Sequence, residues 1–256
     1  MTYRRLFLLL GLSGLVLSAA RPAVSAPADL EASGYGGTAS GGWACGPDAR
    51  AKYGGVGGEI RVRPGVAKAE DDTGPAVSLG VAGEYRSFSL VDCGTNPCNS
   101  SNDVVPPGGL AIGASAKGGY DWKWFGFRVG VLPWQTWVNP TDTAPKWAIW
   151  PSGSLRVGPV NSLRGELGFG DYGISTILRP GLWAGVVYVP DPGWELALHG
   201  GINETFDGFN GGWRGDLALT LPLTRDVQLG LGSALSEGTN AAVNPEGRVS
   251  LIAHVF

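Results

Sequence analysis

The sequence predicts an all-β chain, a single antiparallel transmembrane β-barrel of about 12 strands. Three observations predict it. Segments of roughly ten residues alternate apolar and polar side chains. The connectors between them alternate short and long, and Trp and Tyr gather at both strand ends. Half-buried strands have a side-chain period of two, so the alternation alone would also suit a soluble sandwich. The sorting of rings to both ends would not, because Trp and Tyr collect where one edge of the ring is dry and the other wet.

Residues 1–26 read as a secretory signal peptide. Arg4 and Arg5 form a charged start, Leu6 to Ala20 an apolar stretch, and Val24-Ser25-Ala26 a small-residue cleavage site. A helix of that length could nearly span a membrane as an anchor. The break at Arg21-Pro22 and the cleavage triplet favour removal, with the mature chain starting near Pro27. Residues 27–52 form an N-terminal segment, in which the Gly-rich GYGGTASGGWAC, between Leu30 and Cys45, is expected to supply a first strand. Residues 53–256 form the barrel proper.

Within it each segment has an apolar and a polar parity. Val56, Ile60 and Val62 oppose Glu59 and Arg61, and Val77, Leu79, Val81 and Tyr85 oppose Glu84 and Arg86. Leu110, Ile112 and Tyr120 oppose Lys117, and Phe125, Phe127, Val129 and Val131 oppose Arg128. Leu155 and Val157 oppose Arg156, while Leu163, Leu167 and Phe169 oppose Arg164 and Glu166. Leu182, Val186 and Tyr188 oppose Arg179 and Trp183, and Leu196, Leu198 and Ile202 oppose Glu195 and His199. Leu217, Leu219 and Leu221 oppose Arg214 and Asp216; Val227, Leu229, Leu231 and Leu235 oppose small residues; the last run is 247–256. The pattern occurs about eleven times, and single-chain bacterial barrels have an even strand count, so the N-terminal strand brings the number to about 12. Ten is the alternative if 53–63 or 145–157 leaves the wall.

The tight connectors are DWK (121–123), VGPVN (157–161), DPG (191–193) and PLTR (222–225), most with Pro, Gly, Asn or Asp. Longer loops lie between them, and short turns on one side with long loops on the other are a transmembrane-barrel feature. Tyr120, Trp122, Trp124, Tyr188 and Trp194 cluster around the short turns, and Trp134, Trp137, Trp147 and Trp213 around the long loops. Two interfacial girdles are expected from these rings.

The polar parity carries opposite charges two residues apart: Glu59/Arg61, Glu84/Arg86, Arg164/Glu166 and Arg214/Asp216. Such neighbours share a strand face. The outer face of a sandwich would also hold such pairs, but this face is rich in Gly and Ala, which suits a crowded lumen. Lumen-lining residues are therefore expected to be Glu59, Arg61, Glu84, Arg86, Lys117, Arg128, Arg156, Arg164, Glu166, Arg179, Glu195, His199, Arg214 and Asp216. Bases outnumber acids there although the whole chain has net charge −3. Since arginines lining a pore favour anions, a narrow channel for small, anionic solutes is expected. The alternative is a structural or surface-binding barrel whose ion pairs close the lumen.

The chain is acidic and without a basic run, which argues against nucleic-acid binding. Cys93 and Cys98 bracket Gly-Thr-Asn-Pro in the longest loop and are expected to bridge, leaving Cys45 free. No metal or cofactor is expected: CGTNPC lacks His or Cys partners nearby, and ETFDGFNG lacks calcium-loop spacing. His199 precedes Gly200-Gly201 and His254 precedes Val255-Phe256. Both read as hydrogen-bonding residues, His199 in the lumen and His254 at its rim, and a lipid-modifying hydrolase stands third among the functional readings.

On this architecture the chain resembles Gram-negative outer-membrane β-barrel proteins of the porin-like kind. The resemblance covers nearly the whole sequence after residue 26 and carries no family-specific motif. It implies residence in the bacterial outer membrane, with its lipid and lipopolysaccharide as surroundings. It also implies recognition by the outer-membrane assembly machinery through a last strand ending in Phe256. Phe256, however, shares parity with the polar His254, Ser250 and Arg248, while Val255, Leu251 and Val249 form the apolar face. Either the last residue turns out at the rim or a bulge shifts the register.

Overall fold

A computed structural model describes residues 28–40, 50–62, 73–92, 109–137, 146–170, 181–203, 212–237 and 243–255. They form twelve strands: β1 Ala28–Ser40, β2 Arg50–Val62, β3 Gly74–Asp92, β4 Gly109–Asp121, β5 Phe125–Trp137 and β6 Lys146–Val157. The rest are β7 Leu163–Phe169, β8 Gly181–Tyr188, β9 Glu195–Asn203, β10 Trp213–Pro222, β11 Val227–Glu237 and β12 Val243–Val255. Each strand pairs with its sequence neighbours, and β1 pairs with β12, so the sheet closes and no edge remains. Every pairing is antiparallel, as the sequence predicted.

The barrel is apolar on the outside. Leu198 is 59% exposed, Leu182 69% and Ile149 72%, whereas Asp216 is 3% exposed and Arg214 5%. Such a molecule would be unstable in water, where the hydrophobic effect drives those side chains inward. In a bilayer the same wall meets acyl chains, and every backbone polar group is satisfied within the closed ladder. Among the described residues no helix is long and apolar enough to cross a membrane.

The first strand lies at Ala28–Ser40, starting before the Gly-rich stretch that suggested it. Ala28 faces Val255 across the closure and Val62 on the other side. Along β12 the register runs unbroken to Val255 on β1 and to Ala253 on β11, so no bulge shifts the described part of the last strand. The β2–β3 register shifts between Arg50 and Ala51, at the opposite end of β2.

Four tight turns, 122–124, 158–162, 189–194 and 223–226, lie at the same end as Ala28 and Val255. Gly158 and Gly193 hold φ of 112° and 86°, where a side chain would be strained. Neighbouring turns are tied by main-chain bonds: Gly158 N donates to Trp124 O at 2.8 Å, and His254 N to Asp226 O at 2.8 Å. Residues 1–27, the 63–72 connector, the loops at the other end and Phe256 lie outside the described residues. So do the expected signal peptide, Arg179, Cys45, Cys93 and Cys98.

Candidate functional site

The lumen is the site, and its wall is uneven. On β3 and β4 the inward positions are mostly small: Ser78, Gly80 and Ala82 face Lys117, Ser115 and Gly113 in register. On β6, β7, β9 and β10 and at the closure they include long charged side chains.

At the short-turn end, Asp121 is a hub, 2% exposed. Arg128 reaches its Oδ2 at 2.6 Å and Arg156 its Oδ1 at 3.2 Å. Arg156 also donates to the carbonyls of Trp122 and Phe125, each at 2.9 Å, and to that of Gly158. One guanidinium thus holds two turns together, a structural role where the sequence suggested a pore charge. Arg164 does likewise for the next turn: it donates to Val160 O at 2.8 Å, Glu166 Oε1 at 2.7 Å and Glu195 Oε2 at 3.0 Å.

Higher in the lumen, His199 Nε2 lies 3.6 Å from Glu166 Oε2 and packs edge-on against Trp183, ring centroids 5.5 Å apart. His199 faces Asp216 in register. Asp216 pairs with Arg214 at 2.8 Å, and Arg214 reaches Glu246 at 3.3 Å. Glu195, four residues from His199, pairs with Arg164 instead, because the barrel wall carries it away along the strand.

Two tyrosines lie across glycines. The Tyr53 hydroxyl donates to Glu246, passing over Gly37, where a Cβ would meet its Oη at 2.7 Å and Pro245 O at 2.6 Å. The Tyr35 hydroxyl donates to Glu84, passing over Gly55, where a Cβ would meet the Tyr35 ring. Each spans a strand and ties β2 to β12 or β1 to β3. With Arg248 donating to Glu31 at 2.6 Å and His254 Nδ1 2.7 Å from Asp29, the closure is stitched from inside. Buried pairs of this kind are weak evidence of stability but expensive to break.

Glu59 and Arg61 pair at 2.9 Å as expected. Lys117 faces Ser78 and Gly130 in register. Arg86 sits on the parity of buried Glu84, with its side chain outside the described residues. Of the girdle, the Tyr120 and Trp122 rings meet at a tilt, centroids 4.7 Å apart, and Trp122, Trp124, Tyr188, Trp194 and Trp213 are exposed. Trp134 faces Gly113 and Trp147 faces Gln135 in register; both side chains are outside the described residues.

Sequence reading passed over Asp29, Glu31, Tyr35, Tyr53, Asp121, Glu246 and Arg248. Asp121 looked like a turn residue, and Glu246 and Arg248 sat at the edge of the last run. Parity counted back from Val249 would have found those two. These residues add four acids, Asp29, Glu31, Asp121 and Glu246, and one arginine, which removes the inward excess of bases. A cavity of about 470 Å³ opens at the short-turn mouth, lined by Glu59, Arg61, Arg164, Glu195, Asn161 and Gln228 among others.

No protein-family model matches the chain, and no curated sequence matches it. Among solved structures it is similar to an outer membrane channel from Pseudomonas putida F1, at TM-score 0.61 and 11% identity over 92% of this chain and 97% of that one. The fold is that of an outer-membrane β-barrel. The barrel is also similar to the β domain of a Bordetella autotransporter, at TM-score 0.49 and 12% identity over 90% and 99% of the two chains. Outer membrane phospholipase A from Escherichia coli, in an active-site mutant form, follows at TM-score 0.47 and 12% identity over 93% and 95%.

Proposed function

We propose that this barrel is a narrow channel of the bacterial outer membrane that passes small solutes. One observation carries the reading: a cavity of about 470 Å³ opens at the short-turn mouth, lined by residues of β1, β2, β7 and β9 to β12 and of the turns between them. An eight-strand barrel is just filled by its own side chains. Twelve strands enclose more. The Pseudomonas putida channel of the same fold supports the reading.

Preference for anions is not part of it. The added carboxylates balance the arginines, and Arg156 and Arg164 are committed to turn carbonyls and buried acids. A second reading, a lumen closed by ion pairs, is favoured by the Tyr53–Glu246–Arg214–Asp216 chain. Planar-bilayer recording of refolded protein separates them. Discrete conductance steps support the channel, and a silent but correctly folded barrel supports the closed lumen.

A further inference from the structure

The outer face of β4 and β5 carries a ring cluster at its short-turn end. The Trp122 centroid lies 4.7 Å from that of Tyr120, 5.7 Å from Phe125 and 6.0 Å from Phe127, each pair tilted. Two backbone bonds, Trp122 N to Phe125 O at 2.7 Å and Phe125 N to Trp122 O at 3.3 Å, close a two-residue loop of Lys123 and Trp124. From inside the barrel Arg156 donates to the carbonyls of Trp122 and Phe125, each at 2.9 Å. The loop is therefore pinned from within and presents its tip in one shape. Lys123 stands at that tip between two indoles, Trp122 45% and Trp124 64% exposed. It is itself exposed and has no carboxylate partner among the described residues. The nearby acid, Asp121, is taken by Arg128 and Arg156. From the tip an apolar track runs along the wall, where Phe125 faces Val157 and Phe127 faces Leu155 in register. Arg225, the cation of the 223–226 turn, has no ring beside it in sequence.

We infer that this turn binds an anionic phospholipid of the periplasmic leaflet, its phosphate at Lys123 and an acyl chain on the ring cluster. The inference rests on the barrel lying in the outer membrane and not on the channel reading. Short turns face the periplasm in bacterial barrels, and the lipids of that leaflet are phospholipids. Trp and Tyr rings sit at head-group level, which puts Lys123 at the depth of the phosphates. A lysine stem lies along apolar surface while its ammonium stays in the polar layer. That ammonium takes a phosphate oxygen, the two indoles offer further N–H donors, and the chain follows the track from Phe125 and Val157 to Phe127 and Leu155. The protein leaves the Lys123 charge uncompensated, so a lipid with net negative charge complements it. A zwitterionic lipid brings its own cation beside the phosphate and gains less.

The test is native mass spectrometry of refolded protein released from detergent, after titration with phosphatidylglycerol or phosphatidylcholine of the same acyl chains. Phosphatidylglycerol is expected to bind about fivefold tighter, the effect of one lysine at a lipid surface. Lys123→Gln should bring the two lipids level, while Arg225→Gln should leave the preference as it is. Equal binding of the two lipids by the wild-type protein, or tighter binding of phosphatidylcholine, overturns the inference. So does a preference that survives Lys123→Gln or disappears with Arg225→Gln. The wild-type comparison needs no variant to fold, and both substitutions lie in exposed turns. Planar-bilayer recording is independent. A silent bilayer with the lipid preference retained ends the channel reading and keeps the site; conductance without that preference does the opposite.

Discussion

Replacing Arg156 with Met keeps the aliphatic stem and removes every donor, and it should destabilise the barrel far more than it changes conduction. The wild-type guanidinium, 11% exposed, bonds Asp121 at 3.2 Å and the carbonyls of Trp122, Phe125 and Gly158. Removing one partner of a buried pair costs about 3–5 kcal/mol. Asp121 keeps Arg128 at 2.6 Å, and the turn carbonyls lie near water, so the lower end applies. We expect a loss of about 3 kcal/mol, on the order of a hundredfold in the folding equilibrium. Urea unfolding from lipid vesicles, followed by tryptophan fluorescence with the m-value checked for constancy, measures it. Arg61→Met is the control. Its pair with Glu59 is half-exposed, so that change should cost no more than about 1 kcal/mol. If Arg156→Met unfolds within about 1 kcal/mol of the wild type, the assignment of Arg156 as the tie between two turns is wrong.

Leu198→Lys places a charge on the lipid face between Val186 and Leu217 and should cost about 2–4 kcal/mol near mid-membrane, read from the same unfolding curves. Adjacent glycines should respond oppositely to alanine. At Gly118 a Cβ meets nothing within 4 Å, and the change should be neutral or stabilising by up to about 1 kcal/mol. At Gly119 a Cβ strikes the Phe127 carbonyl and lies 3.0 Å from Arg128 Cα, for a loss of about 1–3 kcal/mol by thermal or urea melts. In the loop beyond the described residues, non-reducing mass mapping should find Cys93 joined to Cys98; a bridge through Cys45 refutes that pairing.

Much of the wall was legible in sequence. A strand has a side-chain period of two whatever surrounds it, so Leu182, Leu198 and Leu217 declared the lipid face, and Glu166, His199 and Asp216 the interior. Pairs within one strand, such as Arg164 with Glu166, were legible for the same reason, since their spacing is local. The weak first strand was harder, because glycine carries no pattern to read.

Partners across the barrel were decided only by the tertiary structure. Tyr53 meets Glu246 across 193 positions of chain, and Arg248 meets Glu31 across 217. Those contacts depend on strand register and on closure of β1 against β12, which are properties of the whole ring. A one-residue slip moves every side chain to the other face. Alternation therefore tells which side a residue faces but not what it meets there. That difference is why Asp121, read as a turn residue, becomes a buried hub, and why Arg156, read as lumen-lining, bonds the carbonyls of its turns. Charge sign is written in the sequence, while exposure to a passing solute is set by how the closed barrel places each group against its neighbours.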